Sequence, residues 1–161
     1  MSVLNTESIC LRPESAADKT FLLYLYISTR DKEMAQTGWS RTEISTFLTQ
    51  QFEAQYLSYR QYFPDATYQV IEYQGEAIGR LYLQRGEDEY RLIDVSLLPE
   101  FRNQGLGGQL MQTILDEATE KEKRVTLHVE QFNPAYRLYE RMGFVQVEER
   151  GIHLFMEWHS D

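Results

Sequence analysis

This chain is poor in cysteine and in proline, and it has fewer bases than acids. Cys10 is the only cysteine among 161 residues. One thiol cannot form an internal disulfide, so a packed core must hold the fold, as expected in a reducing cytoplasm. Three histidines and one cysteine form no cluster at ligand spacing, so no metal is expected. The longest apolar run, Phe21 to Ile27, is far short of the ~20 residues of a membrane-spanning helix. The start, Met1-Ser2-Val3-Leu4-Asn5, has neither the basic region nor the apolar core of a signal peptide. Sixteen Lys and Arg against 25 Asp and Glu give a net charge of −9. A phosphate backbone needs a basic face, so nucleic acid is not an expected partner. The acidity mildly suits a cationic partner, although most acidic residues simply keep a surface solvated. Repeats and low-complexity segments are absent. The length predicts one domain over residues 1–161 that buries ~70% of its unfolded surface.

What is present is an alternation of strands and helices. Ser8 to Arg12 reads as a strand, and Ser15 to Thr29 as a helix rich in Leu and Tyr. Asp31 to Gly38 reads as a loop or a single helical turn. Ser40-Arg41-Thr42-Glu43 is a capping box, with Ser and Glu three apart. The helix it opens carries Ile44, Phe47, Leu48, Phe52, Tyr56 and Tyr59 on one stripe and ends near Pro64. Thr67 to Tyr73 and Ala77 to Gln84 form a hairpin around Gln74-Gly75-Glu76. Tyr90 to Leu98 is a strand. A helix from Leu106 to about Arg124 follows, with Lys121, Lys123 and Arg124 set against its dipole. Val125 to Val129 is a buried-type strand, Pro134 to Met142 a short helix. Val145 to Glu149 and His153 to Trp158 are the last two strands.

The most informative stretch is Leu97-Leu98-Pro99-Glu100-Phe101-Arg102-Asn103-Gln104-Gly105-Leu106-Gly107-Gly108. It joins an apolar strand to a helix in which Leu106, Leu110, Ile114 and Ala118 recur four apart. Three glycines leave backbone N–H groups uncovered. The helix N-terminus adds unpaired donors and a partial positive charge, and the two together can cradle a diphosphate. Arg102 can add a charge-assisted contact. The alternative is a tight strand–helix turn that binds nothing. A dinucleotide fingerprint is excluded because Leu110 stands where its third glycine should be. A Walker-type loop is excluded because no glycine precedes a lysine.

The remaining pattern, R-x-x-G-x-G, resembles the acyl-CoA pyrophosphate loop of the GNAT superfamily of N-acyltransferases. Downstream, Asn133-Pro134-Ala135-Tyr136-Arg137-Leu138-Tyr139-Glu140-Arg141-Met142-Gly143-Phe144 resembles the family segment N-x-A-x-x-L-Y-x-x-x-G-F. Ile9-Cys10-Leu11-Arg12-Pro13 with Asp18 resembles its first strand and turn. The likeness runs from about Ile9 to Trp158. It implies an α/β (α+β) fold with a mixed, mostly antiparallel central sheet flanked by helices, in the order β-α-α-β-β-β-α-β-α-β-β. Bound acetyl-CoA would touch Leu97, Leu98, Arg102, Asn103, Gln104, Gly105, Leu106, Gly107, Gly108, Asn133 and Tyr139. The Leu97–Leu98 backbone would pair with the pantetheine arm, and an N–H there would steady the oxyanion.

By the same resemblance Tyr139 donates a proton to the departing CoA thiolate; the alternative is a packed core tyrosine. Asn133-Pro134 also reads as an N-cap and first helical residue, and Gly143-Phe144 as an ordinary helix end. The general base is open. Asp94 interrupts the apolar run Leu92-Ile93-Asp94-Val95-Ser96-Leu97, so it is either a satisfied structural carboxylate or a base or acceptor-binding group. His128 and Glu130 share one face of the next strand, opposite Leu127 and Val129. Some family members place a base Glu on this strand. That position falls on His128 counted from Asn133 and on Leu127 counted from Tyr139. His153 and His159 read as surface or structural residues. Trp39 either lines the acceptor pocket or packs on the helix behind it.

These readings imply a cytoplasmic acetyltransferase that moves an acetyl group from acetyl-CoA to a primary amine by direct transfer in a ternary complex, without metal, nucleic acid or membrane. Polyamines, aminoglycosides, amino acids and protein N-termini all stay open as acceptors, and a homodimer is left open. The alternative is a catalytically silent acyl-CoA-binding sensor or interaction domain.

Overall fold

The computed structural model describes residues 8–160, so the segment Met1 to Asn5 lies outside the described residues. The strands are β1 (Ile9–Pro13), β2 (Thr67–Tyr73), β3 (Glu76–Arg85), β4 (Glu89–Leu97), β5 (Arg124–Glu130), β6 (Val145–Arg150) and β7 (His153–Trp158). The helices are α1 (Lys19–Ser28), α2 (Asp31–Ala35), α3 (Arg41–Tyr62), α4 (Leu106–Glu120) and α5 (Ala135–Arg141). The strands form a seven-stranded sheet in the hydrogen-bonded order β1-β2-β3-β4-β5-β7-β6. Of the pairings on which the site depends, β4–β5 is parallel, while β5–β7 and β6–β7 are antiparallel. The mixed sheet agrees with the expectation, and so does the element order apart from the short α2 between the first two long helices. Among the described residues no helix is long and apolar enough to cross a membrane.

The chain divides into two compact units, and β3 and β4 each run through both. One unit holds residues 8–81 and 95–102. In it β1 pairs with β2 antiparallel, from Ile9 opposite Tyr73 to Pro13 opposite Gln69. The helices bury a cluster of Leu22, Tyr26, Met34, Leu48 and Phe52, in which Tyr26 meets Phe52 edge-on at 5.7 Å. Ser40 caps α3 as expected: its hydroxyl accepts from the Glu43 N–H, and the Glu43 carboxylate accepts from the Ser40 N–H, both at 3.1 Å. Arg12 bridges Asp18 and Glu72 at 2.7 Å each and holds the Asp18 carboxyl down to about 2.

Two boundaries differ from the sequence reading, and one reading left open between loop and helical turn is resolved as a turn. The expected helix from Ser15 is a 3-10 turn, Ala16–Asp18, followed by α1. The Ser15 N–H and hydroxyl both donate to Asp18, which tightens this entry. The stretch after Asp31 is helical through Ala35 and buries Met34. Helix α4 stops at Glu120 and not near Arg124, because Glu122 takes a left-handed φ of 57°. Lys123 then bonds back to the Ala118 carbonyl at 2.8 Å, and Arg124 opens β5. Of the three bases placed against the helix dipole, only Lys121 borders α4. The Lys123 ammonium donates to the Glu87 carbonyl, and Arg124 pairs with Glu157 at 2.8 Å.

The second unit holds residues 82–94 and 103–160. The apolar stripe of α4 is buried as the four-residue spacing predicted: Leu106, Leu110, Met111, Ile114, Leu115 and Ala118 all face inward. On β5, Leu127 and Val129 are buried while His128 and Glu130 are exposed, the alternation expected of a strand.

Back in the first unit, Gly79 of β3 is the position that admits least. A Cβ there would lie 2.2 Å from the Ser96 carbonyl oxygen and 2.9 Å from Leu97 Cδ2. The carbonyl is backbone and cannot rotate away. Gly79→Ala should therefore lower unfolding stability by about 3 kcal/mol, the upper end of the usual cost of one inserted methyl group. Urea denaturation measures this, and an unchanged midpoint would mean that β4 has room to move.

Candidate active site

The parallel ladder between β4 and β5 runs from Glu89 opposite Arg124 to Leu92 opposite Leu127 and ends there. Beyond it β5 continues through His128, Val129 and Glu130, which pair with β7, and β4 continues through Ile93 and Asp94. Side chains alternate faces along a strand, and paired residues share a face. Tyr90, Leu92 and Asp94 therefore lie on the face of Val125, Leu127 and Val129. Arg91 lies on the other face with Thr126 and His128, and its Nε donates to Thr126 Oγ1 at 2.9 Å.

Tyr139 belongs to the face of Asp94. It sits on α5, which packs on β5, and it is only 7% exposed. Burial pushes its phenol well above the ordinary value, and the Asp94 charge pushes it further in the same direction. Both effects keep the hydroxyl protonated. The fold thus brings Asp94 and Tyr139 into one electrostatic neighbourhood.

His128 and Glu130 are elsewhere. His128 lies edge-on to Phe155 at 5.1 Å, in a shallow cavity that also touches Glu148, Arg150, His153 and Leu154. Partial burial lowers its pKa, and the nearby Arg91, His153 and Arg150 lower it further, against a weaker opposing pull from Glu148. Neither Asp94 nor Tyr139 figures among these influences. Glu130 pairs across the ladder with His153.

The glycine-rich turn enters α4 through two left-handed residues, Asn103 with φ 60° and Gly105 with φ 86°. Gly105 is the N-cap, and no side chain caps the helix. Left-handed and right-handed residues in succession turn neighbouring N–H groups toward one point, a concavity suited to an anion. A Cβ at Gly107 or Gly108 would meet only the Leu138 methyls, at 3.8 and 3.9 Å. These glycines are therefore not required by packing. They leave the first turn of α4 bare on the side toward α5.

In the other unit, the Leu98 N–H donates to the Ile78 carbonyl at 2.8 Å, and the Leu98 carbonyl accepts from Phe101 at 3.0 Å. Successive N–H groups of a strand point to opposite edges, so the Leu97 N–H points away from β3. Arg102 donates from Nε to the Leu97 carbonyl at 2.8 Å and reaches Ser28 Oγ at 3.5 Å. Its guanidinium braces the end of β4. The Asn133 carboxamide accepts from the Ala135 N–H at 2.9 Å, a local bond at the entry to α5, whose N-cap is Pro134 and not Asn133. Trp39 packs on α3, edge-on to Phe47 at 5.3 Å, and stays 45% exposed. Among the described residues no group of three or more metal-ligating side chains converges.

The family model described as the acetyltransferase (GNAT) family matches residues 33–144. The chain belongs to the GNAT acetyltransferase family. Solved GNAT-type structures share its fold. The PaiA N-acetyltransferase of Thermoplasma acidophilum, crystallised with coenzyme A, superposes with a TM-score of 0.73 at 19% identity, over 95% of this chain and 99% of that one. A GNAT acetyltransferase of Elizabethkingia anophelis with acetyl-CoA bound gives 0.59 at 17% identity, over 96% and 99%. A relative from Bacillus subtilis (strain 168), provisionally named a ribosomal protein bS18-alanine N-acetyltransferase, is 33% identical over 82 residues, half of this chain. The match spans 54% of that relative, so this chain covers about half its length.

The pairing of Asp94 with Tyr139 sets a titration. In this GNAT chain the Tyr139 phenol should stay protonated beyond the ordinary tyrosine range of about 10. Asp94→Asn removes a negative charge and should lower the Tyr139 pKa, while burial keeps it above that range. Ultraviolet titration with Tyr139→Phe as the reference reads this directly. A Tyr139 that titrates at the ordinary value in the native protein would contradict the geometry.

Proposed function

We propose that this GNAT chain is an N-acetyltransferase that moves an acetyl group from acetyl-CoA to a primary amine within one ternary complex, and that residues 1–161 act as one domain. The observation that carries the reading is the buried Tyr139 side chain, kept protonated by its burial and by the Asp94 charge, on the unit that also carries the bare N-terminus of α4. A silent coenzyme-binding module has no use for a proton donor held in this way.

Each residue then has a task. The N–H groups from Asn103 to Gly108 receive the diphosphate, where the helix dipole and the absence of side chains both favour negative charge. Arg102 positions the turn from the Leu97 carbonyl. The neutral amine attacks the thioester carbon; a C–N bond forms and the C–S bond breaks. Tyr139 gives its proton to the departing thiolate, and the proton lost by the amine passes to Asp94 or to water. The Asp94 charge also suits an ammonium acceptor, as does the net charge of −9. His128 and Glu130, on the opposite face, do not share this field. The Bacillus subtilis relative makes a peptide with N-terminal alanine the first acceptor to test, alongside polyamines, aminoglycosides and free amino acids.

Two substitutions separate binding from chemistry. Gly107→Glu should abolish acetyl-CoA binding with the fold intact, because its Cβ starts in open contact while its carboxylate occupies the anion's place. Tyr139→Phe should leave that affinity nearly unchanged and cut turnover with the best acceptor by ~10²-fold, typical of a positioned acid. Calorimetry and thiol release measure the two. Unchanged affinity in the first variant, or unchanged turnover in the second, would overturn the corresponding assignment.

A further inference from the structure

Tyr139 is held through the end of its own helix. The chain leaves α5 at Gly143, whose φ is +100°. The Phe144 N–H bonds back to the Tyr139 carbonyl at 3.0 Å, and the Gly143 N–H bonds to that of Glu140 at 3.1 Å. This six-to-one closure with an apolar contact is the Schellman arrangement. It returns Phe144 to the residue it closes on: the rings of Phe144 and Tyr139 lie 5.7 Å apart, and Phe144 is itself buried. The position and tilt of the Tyr139 ring therefore depend on where the turn at Gly143 is seated.

Trp158 seats it. This residue lies on β7 opposite Val125 of β5, and so on the face that carries Leu127, Asp94 and Tyr139. The edge of its indole stands against the Gly143 backbone. A Cβ on Gly143 would be 3.3 Å from Trp158 Cδ1 and 3.4 Å from Nε1. A Cβ at Gly143 would push the indole back by a few tenths of an ångström, and the positive φ there favours glycine in closing the helix. One residue thus meets two requirements at the point where α5 touches the last strand. The Trp158 indole N–H has no hydrogen-bond partner among the described residues, so its contribution at this position is the flat edge and not a polar link.

We infer that Trp158 is a positioning residue for Tyr139, acting through the Gly143 turn and Phe144 and touching neither acetyl-CoA nor the amine. The inference rests on Tyr139 being the proton donor proposed above, and it places a determinant of that donor's geometry some twenty residues downstream, on another element. A donor hydroxyl displaced by a fraction of an ångström loses its line to the thiolate without losing the binding site for the coenzyme.

The test uses the full chain with ring-labelled carbon-13 tyrosine, the Tyr139 signal being assigned by its disappearance in Tyr139→Phe. Trp158→Leu keeps apolar volume and removes the flat edge; Trp158→Phe keeps a flat ring. Trp158→Leu should shift or broaden the Tyr139 signal and lower kcat by roughly 10- to 100-fold, with acetyl-CoA affinity and KM nearly unchanged. Trp158→Phe should recover most of both. Gly143→Ala, which presses on the indole from the other side, should reproduce the Leu pattern and replaces that variant if it folds poorly. A Tyr139 signal that stays in place in both Trp158→Leu and Gly143→Ala would overturn the inference. So would a turnover loss that only follows the folded fraction and that Trp158→Phe does not recover. If Tyr139→Phe leaves turnover intact, Tyr139 drops out of the chemistry, while the ring signal still decides whether Trp158 positions it.

Discussion

The early end of the parallel ladder between β4 and β5 is the constraint on which the site depends. Four residue pairs hold the strands together, from Glu89 and Arg124 to Leu92 and Leu127. Past that point β5 keeps its pairing to β7 and no longer pairs with β4. Two strands that separate inside a sheet expose backbone and side chains that a continuous ladder would cover. Asp94 is the second residue of β4 past the last pair. A carboxylate at that place would be costly inside a closed ladder. Where the strands have parted it can face a charged partner.

The helices on either side follow from the same opening. Helix α4 presents an uncapped N-terminus with glycine in its first turn, and α5 presents Tyr139 toward the face of Asp94. The nearest neighbour of the bare glycines is Leu138, the residue before Tyr139. The glycine turn and Tyr139 thus lie on neighbouring stretches of one unit, with Leu138 facing the bare glycines. The electrostatic division is equally local. Asp94 raises the Tyr139 phenol further above its ordinary value, while His128 answers to Arg91, His153 and Arg150 across the sheet.

Most of the architecture was legible because it is periodic. The four-residue spacing from Leu106 to Ala118, the Ser40 to Glu43 box and the alternation of Leu127, His128, Val129 and Glu130 each have one local physical cause. The glycine-rich entry into α4 was legible because its glycines stand together at the strand-to-helix junction. Three things were not legible. The end of α4 rests on Glu122 accepting a left-handed conformation that a glycine would have announced. The side on which Asp94 falls relative to His128 depends on the β4–β5 register, which no single strand contains. The tasks of Arg102 and Trp158 depend on partners distant in sequence, the Ser28 hydroxyl and the Gly143 backbone. Asn133 shows the converse: its side chain bonds locally to the Ala135 N–H at the entry to α5, one residue ahead of the N-cap Pro134, and no tertiary information is involved.

The central claim is that the backbone donors opening α4 receive the diphosphate of acetyl-CoA. Amide nitrogen-15 NMR during a titration with coenzyme A tests it most directly. The account predicts that the N–H signals of Leu106, Gly107 and Gly108 move strongly downfield and saturate together, as donors to an anion do. Saturable changes elsewhere in the chain, with these three signals left in place, would contradict it.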